Sequence, residues 1–86
     1  MSIENDIVFP GPVGKSFTTN ATTTRHFNQL KEALLKFDEV KDVIFHSDKK
    51  PKEVTVYVHK NIAVEKLQTC LLRYELHIIP KSILGV

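Results

Sequence analysis

Hydrophobic and polar positions change period along the chain, and each change marks an element. In KSFTTN (15–20), Phe17 and Thr19 alternate with polar neighbours, the period of a short strand. From Thr24 the spacing shifts to threes and fours: Phe27, Leu30, Leu34 and Phe37, with Ala33 beside them, form one apolar stripe, and Glu32 stands four residues before Lys36. Residues 24–37 therefore read as an amphipathic helix. Thr22, Thr23 or Thr24 supplies its cap, because a hydroxyl there accepts a bond from a backbone N–H that the first helical turn leaves unpaired. VKDVIFH (40–46) is strand-like and SDKKPK (47–52) is a turn. EVTVYVHK (53–60) sets Val54, Val56 and Val58 against Thr55, Tyr57 and His59 without a slip. Asn61 is placed to cap a second helix with Val64, Leu67, Leu71 and Tyr74 on its inner face, and LHIIP (76–80) is a last strand closed by Pro80.

The resulting order, β-α-β-β-α-β, predicts an α+β class protein: a ferredoxin-like sandwich with two helices on one face of a four-stranded antiparallel sheet, strand order 4-1-3-2. Phe17, Val43, Phe45, Val54, Val56, Val58 and Ile78 then point at the helices, while Thr18, Ile44, Tyr57, His59 and His77 look outward. Ahead of this unit, IVFPGPVG (7–14) begins extended, but its Pro-Gly-Pro cluster interrupts any regular ladder. Residues 1–14 read as an added arm, 15–80 as the domain and 81–86 as a tail. Residues 1–6 are expected to be mobile. Ile7, Val8 and Phe9 are expected to pack on the domain or on a second copy, which makes 7–9 a candidate homo-oligomer contact.

Composition narrows the function classes. The 86 residues suffice for one domain with a thin core, and 42% hydrophobic with 26% charged residues is ordinary for a globular protein. Twelve Lys and Arg against ten Asp and Glu give too even a balance to imply a nucleic-acid partner. The single cysteine, Cys70, excludes an internal disulfide and every all-cysteine metal site, and its place on the apolar side of the second helix reads as a small core residue. No apolar run approaches the roughly 20 residues of a membrane span, and MSIENDIVFP has no basic region followed by an apolar stretch. A cytoplasmic protein without membrane insertion is expected. Val13-Gly14-Lys15-Ser16 has the ending of a phosphate-binding loop, yet Phe9 stands where that loop needs its first glycine, and a strand follows instead of a helix. Tyr57 alone offers a stacking face on the central strands, too little for a nucleic-acid platform. Neither an enzymatic nor a nucleic-acid function is indicated.

The run FTTNATTTRHFNQLKEALLKFDEVKDVIF, followed by VTVYV and ELHIIP, resembles the heavy-metal-associated domain family, the small copper chaperones and the N-terminal domains of metal-pumping ATPases. The resemblance covers residues 15–80, with Leu30, Ala33, Leu34, Phe37 and Val40 in the family's apolar register. That register puts Thr23 where the family has the first cysteine of its Cys-x-x-Cys motif and His26 where it has the second. Glu75 stands where the family usually has a glycine. Two thiolates make a soft site for Cu(I), whereas a threonine hydroxyl is hard and neutral, so the resemblance implies the family's fold without its copper site. It also implies that the end of the fold used by the family to meet partner domains persists, here as a protein-interaction surface of Thr22, Thr23, Thr24, Arg25, His26 and Leu76.

Imidazole suits Zn, Ni or Cu(II), and the chain has four histidines. The expected topology brings His26, His46 and His77 to one end of the sheet and puts His59 at the other. His46 lies on an edge strand about 14 Å from the last strand at about 4.8 Å per strand, so a three-histidine cage is not expected. Two readings follow: a non-catalytic interaction module that has lost thiolate copper binding and needs no cofactor, or a transition-metal binding protein using His26 and His77 for a weakly held ion.

Overall fold

The computed structural model describes residues 7–50 and 52–81. The expectations for residues 1–6 and for the tail beyond Lys81 lie outside the described residues. The chain forms a small α+β domain of two helices and antiparallel sheets, broadly compatible with a ferredoxin-like plan. Its elements are β1 (Ile7–Val8), β2 (Lys15–Thr19), α1 (Thr24–Leu35), β3 (Val40–His46), β4 (Glu53–Val58), β5 (Ile62–Ala63), α2 (Val64–Leu72) and β6 (Ile78–Pro80). The expected single sheet of four strands is corrected to six strands in two sheets among the described residues. The larger runs β3-β4-β2-β6, or β6-β2-β4-β3 from its other edge, and the smaller pairs β1 with β5.

The second sheet arises from the arm. Ile7 pairs with Ala63 and Val8 with Ile62, antiparallel, and Val8 and Ile62 are both buried. The arm therefore packs on its own domain through Ile7 and Val8, whereas Phe9 remains exposed. Burying a side chain the size of Val8 contributes about 1.5–3 kcal/mol, a sizeable share for a domain of this length. The same pairing holds Ile62 and Ala63 extended, which displaces the expected Asn61 cap: α2 begins after Ala63 with no side-chain cap, and Glu65 in its first turn faces the positive end of the helix dipole.

Val54, Val56 and Val58 are buried against Leu30, Leu34, Leu67 and Leu71 from the two helices, together with Phe17, Val43 and Ile78. Alternation on β4 thus follows the sequence pattern, with one difference: Thr55, on the opposite face, is only 6% exposed. Its hydroxyl is bonded to Ser16 Oγ at 3.3 Å and His46 Nε2 at 2.9 Å. Gly14, at φ 74°, lies so close that a Cβ there would stand 2.8 Å from Thr55 Cγ2 and 3.0 Å from the Tyr57 ring. The chain entering β2 covers the centre of the outer face, and only glycine fits that approach.

α1 ends at Leu35, two residues short of the 24–37 reading, and Phe37 follows in a turn closed by its N–H on Leu34 O at 3.2 Å. α2 ends in a Schellman closure: Glu75 N–H donates to Leu72 O at 2.9 Å and Leu76 N–H to Leu71 O at 3.2 Å, with Glu75 at φ 60°. Leu71 and Leu76, both buried, make the apolar contact that accompanies such a closure. A left-handed conformation costs a side-chain-bearing residue about 1–2 kcal/mol, part of which glycine returns as unfolded-chain entropy. Glu75→Gly is expected to raise stability by about 0.5–1 kcal/mol in urea denaturation with an unchanged slope; a loss of stability would show that the Glu75 side chain makes a compensating contact.

Candidate functional site

The threonine-rich entrance to α1 is built almost entirely from its own hydrogen bonds. Thr19 Oγ1 accepts from Ala21 N–H at 3.2 Å, folding the chain tightly where β2 ends, and Ala21 is buried as a result. Thr23 is the N-cap: its backbone is extended, its Oγ1 accepts from His26 N–H at 3.1 Å, and its carbonyl takes Phe27 N–H at 3.1 Å as the first helical bond. His26 returns the contact, its Nδ1 accepting from Thr22 N–H at 3.3 Å. A neutral ring that accepts on Nδ1 carries its proton on Nε2. Phe27 packs on Phe45, fixing the first turn of the helix against β3.

Asn20 completes the loop in a way the residue pattern did not announce. Its Nδ2 donates to Glu75 O at 3.1 Å and its Oδ1 accepts from His77 N–H at 2.8 Å. One amide, donor and acceptor at once, ties the exit of β2 to the closure of α2. It also explains why β6 starts at Ile78 and not at Leu76: the His77 N–H is taken by Asn20. An asparagine directly after the strand KSFTT was the one signal available in the sequence.

The anticipated site residues fare differently. Thr22, Thr24 and Arg25 are exposed at the helix start, Thr23 is consumed by the cap and His26 is half-buried. Leu76 is 2% exposed and belongs to the core, so its assignment to the interaction surface is corrected: the Schellman closure turns it inward against Leu71. His77 is exposed and joined to the loop through its backbone. His46 is engaged with Thr55 on the outer sheet face, and His59 is exposed beyond β4. No group of three His, Cys, Asp or Glu side chains capable of holding a metal occurs among the described residues. A metal at His26 would have to displace the Thr22 N–H from Nδ1 or take the proton from Nε2. Cys70, the sole thiol, sits between the helices with its Sγ 3.7 Å from Ala33 O. Lys81, at the other end of β6, is paired with Glu53 at 3.0 Å and does not add free positive charge. No described helix is long and apolar enough to cross a membrane.

Comparison of the chain with protein-family models, with curated proteins and with solved structures returns no match.

The loop's bonds predict a graded response. Thr23→Ala removes the cap and is expected to cost about 1 kcal/mol. Asn20→Ala removes two bonds at once and is expected to cost about 1–2 kcal/mol, while Thr22→Ala, which touches only an exposed hydroxyl, stays within about 0.5 kcal/mol. Urea midpoints measure all three, and equal effects would contradict this division of labour.

Proposed function

We propose that the protein is a non-catalytic interaction module on a ferredoxin-like βαββαβ plan, a degenerate relative of heavy-metal-associated domains that meets a protein partner through the entrance of α1. The observation that carries this reading is a loop held by side-chain bonds to the N–H groups of Ala21, Thr22 and His26 while the side chains of Thr22, Thr24 and Arg25 project from it. A surface held in place before contact loses little conformational entropy on docking. Arg25 presents a rigid fork of donors that favours a carboxylate-bearing partner, and such an exposed charge acts chiefly on association rate and salt dependence. The partner is therefore acidic at the point of contact. Pull-downs from the native cell with wild type and with Arg25→Glu combined with His26→Ala test the reading: the wild type retains a partner, confirmed afterwards with purified components, that the double variant loses. Identical recovery by both would reduce the loop to a helix cap.

Chemistry of the donor set separates this reading from metal carriage through His26 and His77. With the only thiol between the helices and hydroxyls at the loop, Cu(I) is expected to bind no more tightly than to non-specific sites. Titration with Zn(II), Ni(II), Cu(II) and Cu(I) is expected to give no saturable stoichiometric complex. A one-to-one complex abolished by His26→Ala and by His77→Ala would replace the interaction reading with the transition-metal one.

A further inference from the structure

Among the described residues, the larger sheet has two unpaired edges of unequal character. β6 is three residues long and includes Pro80, whereas β3 is seven residues long and ends next to an exposed hairpin. The ladder fixes which residues of β3 face its open side. Thr19 N–H donates to Lys52 O, so the even-numbered residues of β4 turn their backbone toward β2 and the odd ones, 53, 55 and 57, toward β3. The backbone groups of their partners His46, Ile44 and Asp42 therefore point inward along the sheet, and Val43 and Phe45 present at the edge N–H and C=O groups that no described strand pairs. Consistently, Val43 N–H finds no strand and is held by the Asp42 carboxylate at 2.8 Å. Two apolar side chains are exposed on either side of β3: Ile44 on the outer face and Leu35 on α1 over the inner one, each 39% exposed. Leu35 follows Asn28 and Lys31 on one stripe of α1, and those two line a cavity of about 200 Å³ with Val43 and Phe45.

We infer that this edge is self-complementary, and that a second copy of the chain pairs with it antiparallel about a two-fold axis at Ile44. Four two-fold registers are compatible with outward-facing residues 43 and 45. Centring on Asp42 opposes two carboxylates, centring on Val43 sets Asp42 against Ile44, and centring on Phe45 sets Ile44 against His46. Centring on Ile44 alone satisfies every pair. Val43 of one protomer then exchanges backbone bonds with Phe45 of its partner, Ile44 meets Ile44, and each Asp42 faces a His46 across the junction. Asp42 gives up Val43 N–H to the partner's strand and gains an imidazole in return. Exposed apolar side chains leave water at the centre, and the four-stranded sheets join into one of eight strands.

The Ile44 pair is a non-hydrogen-bonded one, with Cα atoms about 4.5 Å apart, inside the range a disulfide spans. In a Cys70→Ser background, Ile44→Cys is expected to cross-link as a dimer under mild oxidation, while Ile79→Cys, exposed on the same sheet face at the other edge, stays monomeric. Sedimentation of the otherwise unaltered chain is expected to show a concentration-dependent dimer that Ile44→Lys abolishes without altering the circular dichroism of the dilute protein. A folded wild type that remains monomeric at every concentration, or equal cross-linking at positions 44 and 79, overturns the proposal and leaves Asp42 as a guard that keeps the edge from pairing.

Discussion

The burial of β4 on both faces is the constraint from which the rest of the domain follows. On one side its three valines fill the space beneath the helices; on the other Thr55 is closed over by the chain entering β2. A strand covered on both sides must satisfy every polar group internally, and Thr55 does so through Ser16 and His46, with no buried side-chain polar atom left unpaired among the described residues. Slipping β4 by one residue would turn Tyr57 and Thr55 toward the helices and set the valines where Thr55 now meets Ser16, His46 and Gly14. The cost of that exchange specifies the register of both neighbouring strands.

From this centre two contacts order the end of the domain that carries the α1 entrance. Asn20 binds the exit of β2 to the end of α2, and the Schellman closure at Glu75 aims Leu76 at Leu71. Because Asn20 accepts from His77 and donates to the carbonyl of Glu75, the left-handed turn and the threonine loop are one unit. Displacing either moves the other. The loop entering α1 is thus held from below by a side chain anchored in a different part of the sequence.

The parts legible in the sequence were those set by periodicity. The alternation of Val54, Val56 and Val58 and the stripe of Leu30, Ala33 and Leu34 are repeated signals, each residue supporting the next, so the helices and the long strands were found to within two residues. Single contacts were not legible. Ile7 and Val8 read only as an apolar pair beside prolines; that they pair with Ile62 and Ala63 depends on where the β4–α2 connection lies in space, and this in turn removed Asn61 from its expected cap. Leu76 alternates with His77 as an edge strand should, and its burial depends on a turn whose conformation glutamate does not advertise. Among the site residues, the threonines were identified as one of several candidate caps, and the bond that selects Thr23 is set by the first turn of the helix, beyond the reach of composition.

The polar chemistry at the α1 entrance is almost all committed to holding the chain. Thr19 and Thr23 bond backbone amides, His26 accepts from Thr22, and Asn20 spends both ends of its amide on the opposite loop. Groups engaged in this way cannot also ligate an ion without giving up local structure, and each such bond is worth about 1 kcal/mol to a domain of marginal stability. The side chains left exposed and uncommitted beside the entrance include two threonine hydroxyls, the Arg25 guanidinium and the His77 imidazole. What the Asn20 clamp and the Thr23 cap supply to these groups is a fixed placement, because both bind the backbone from which the side chains project.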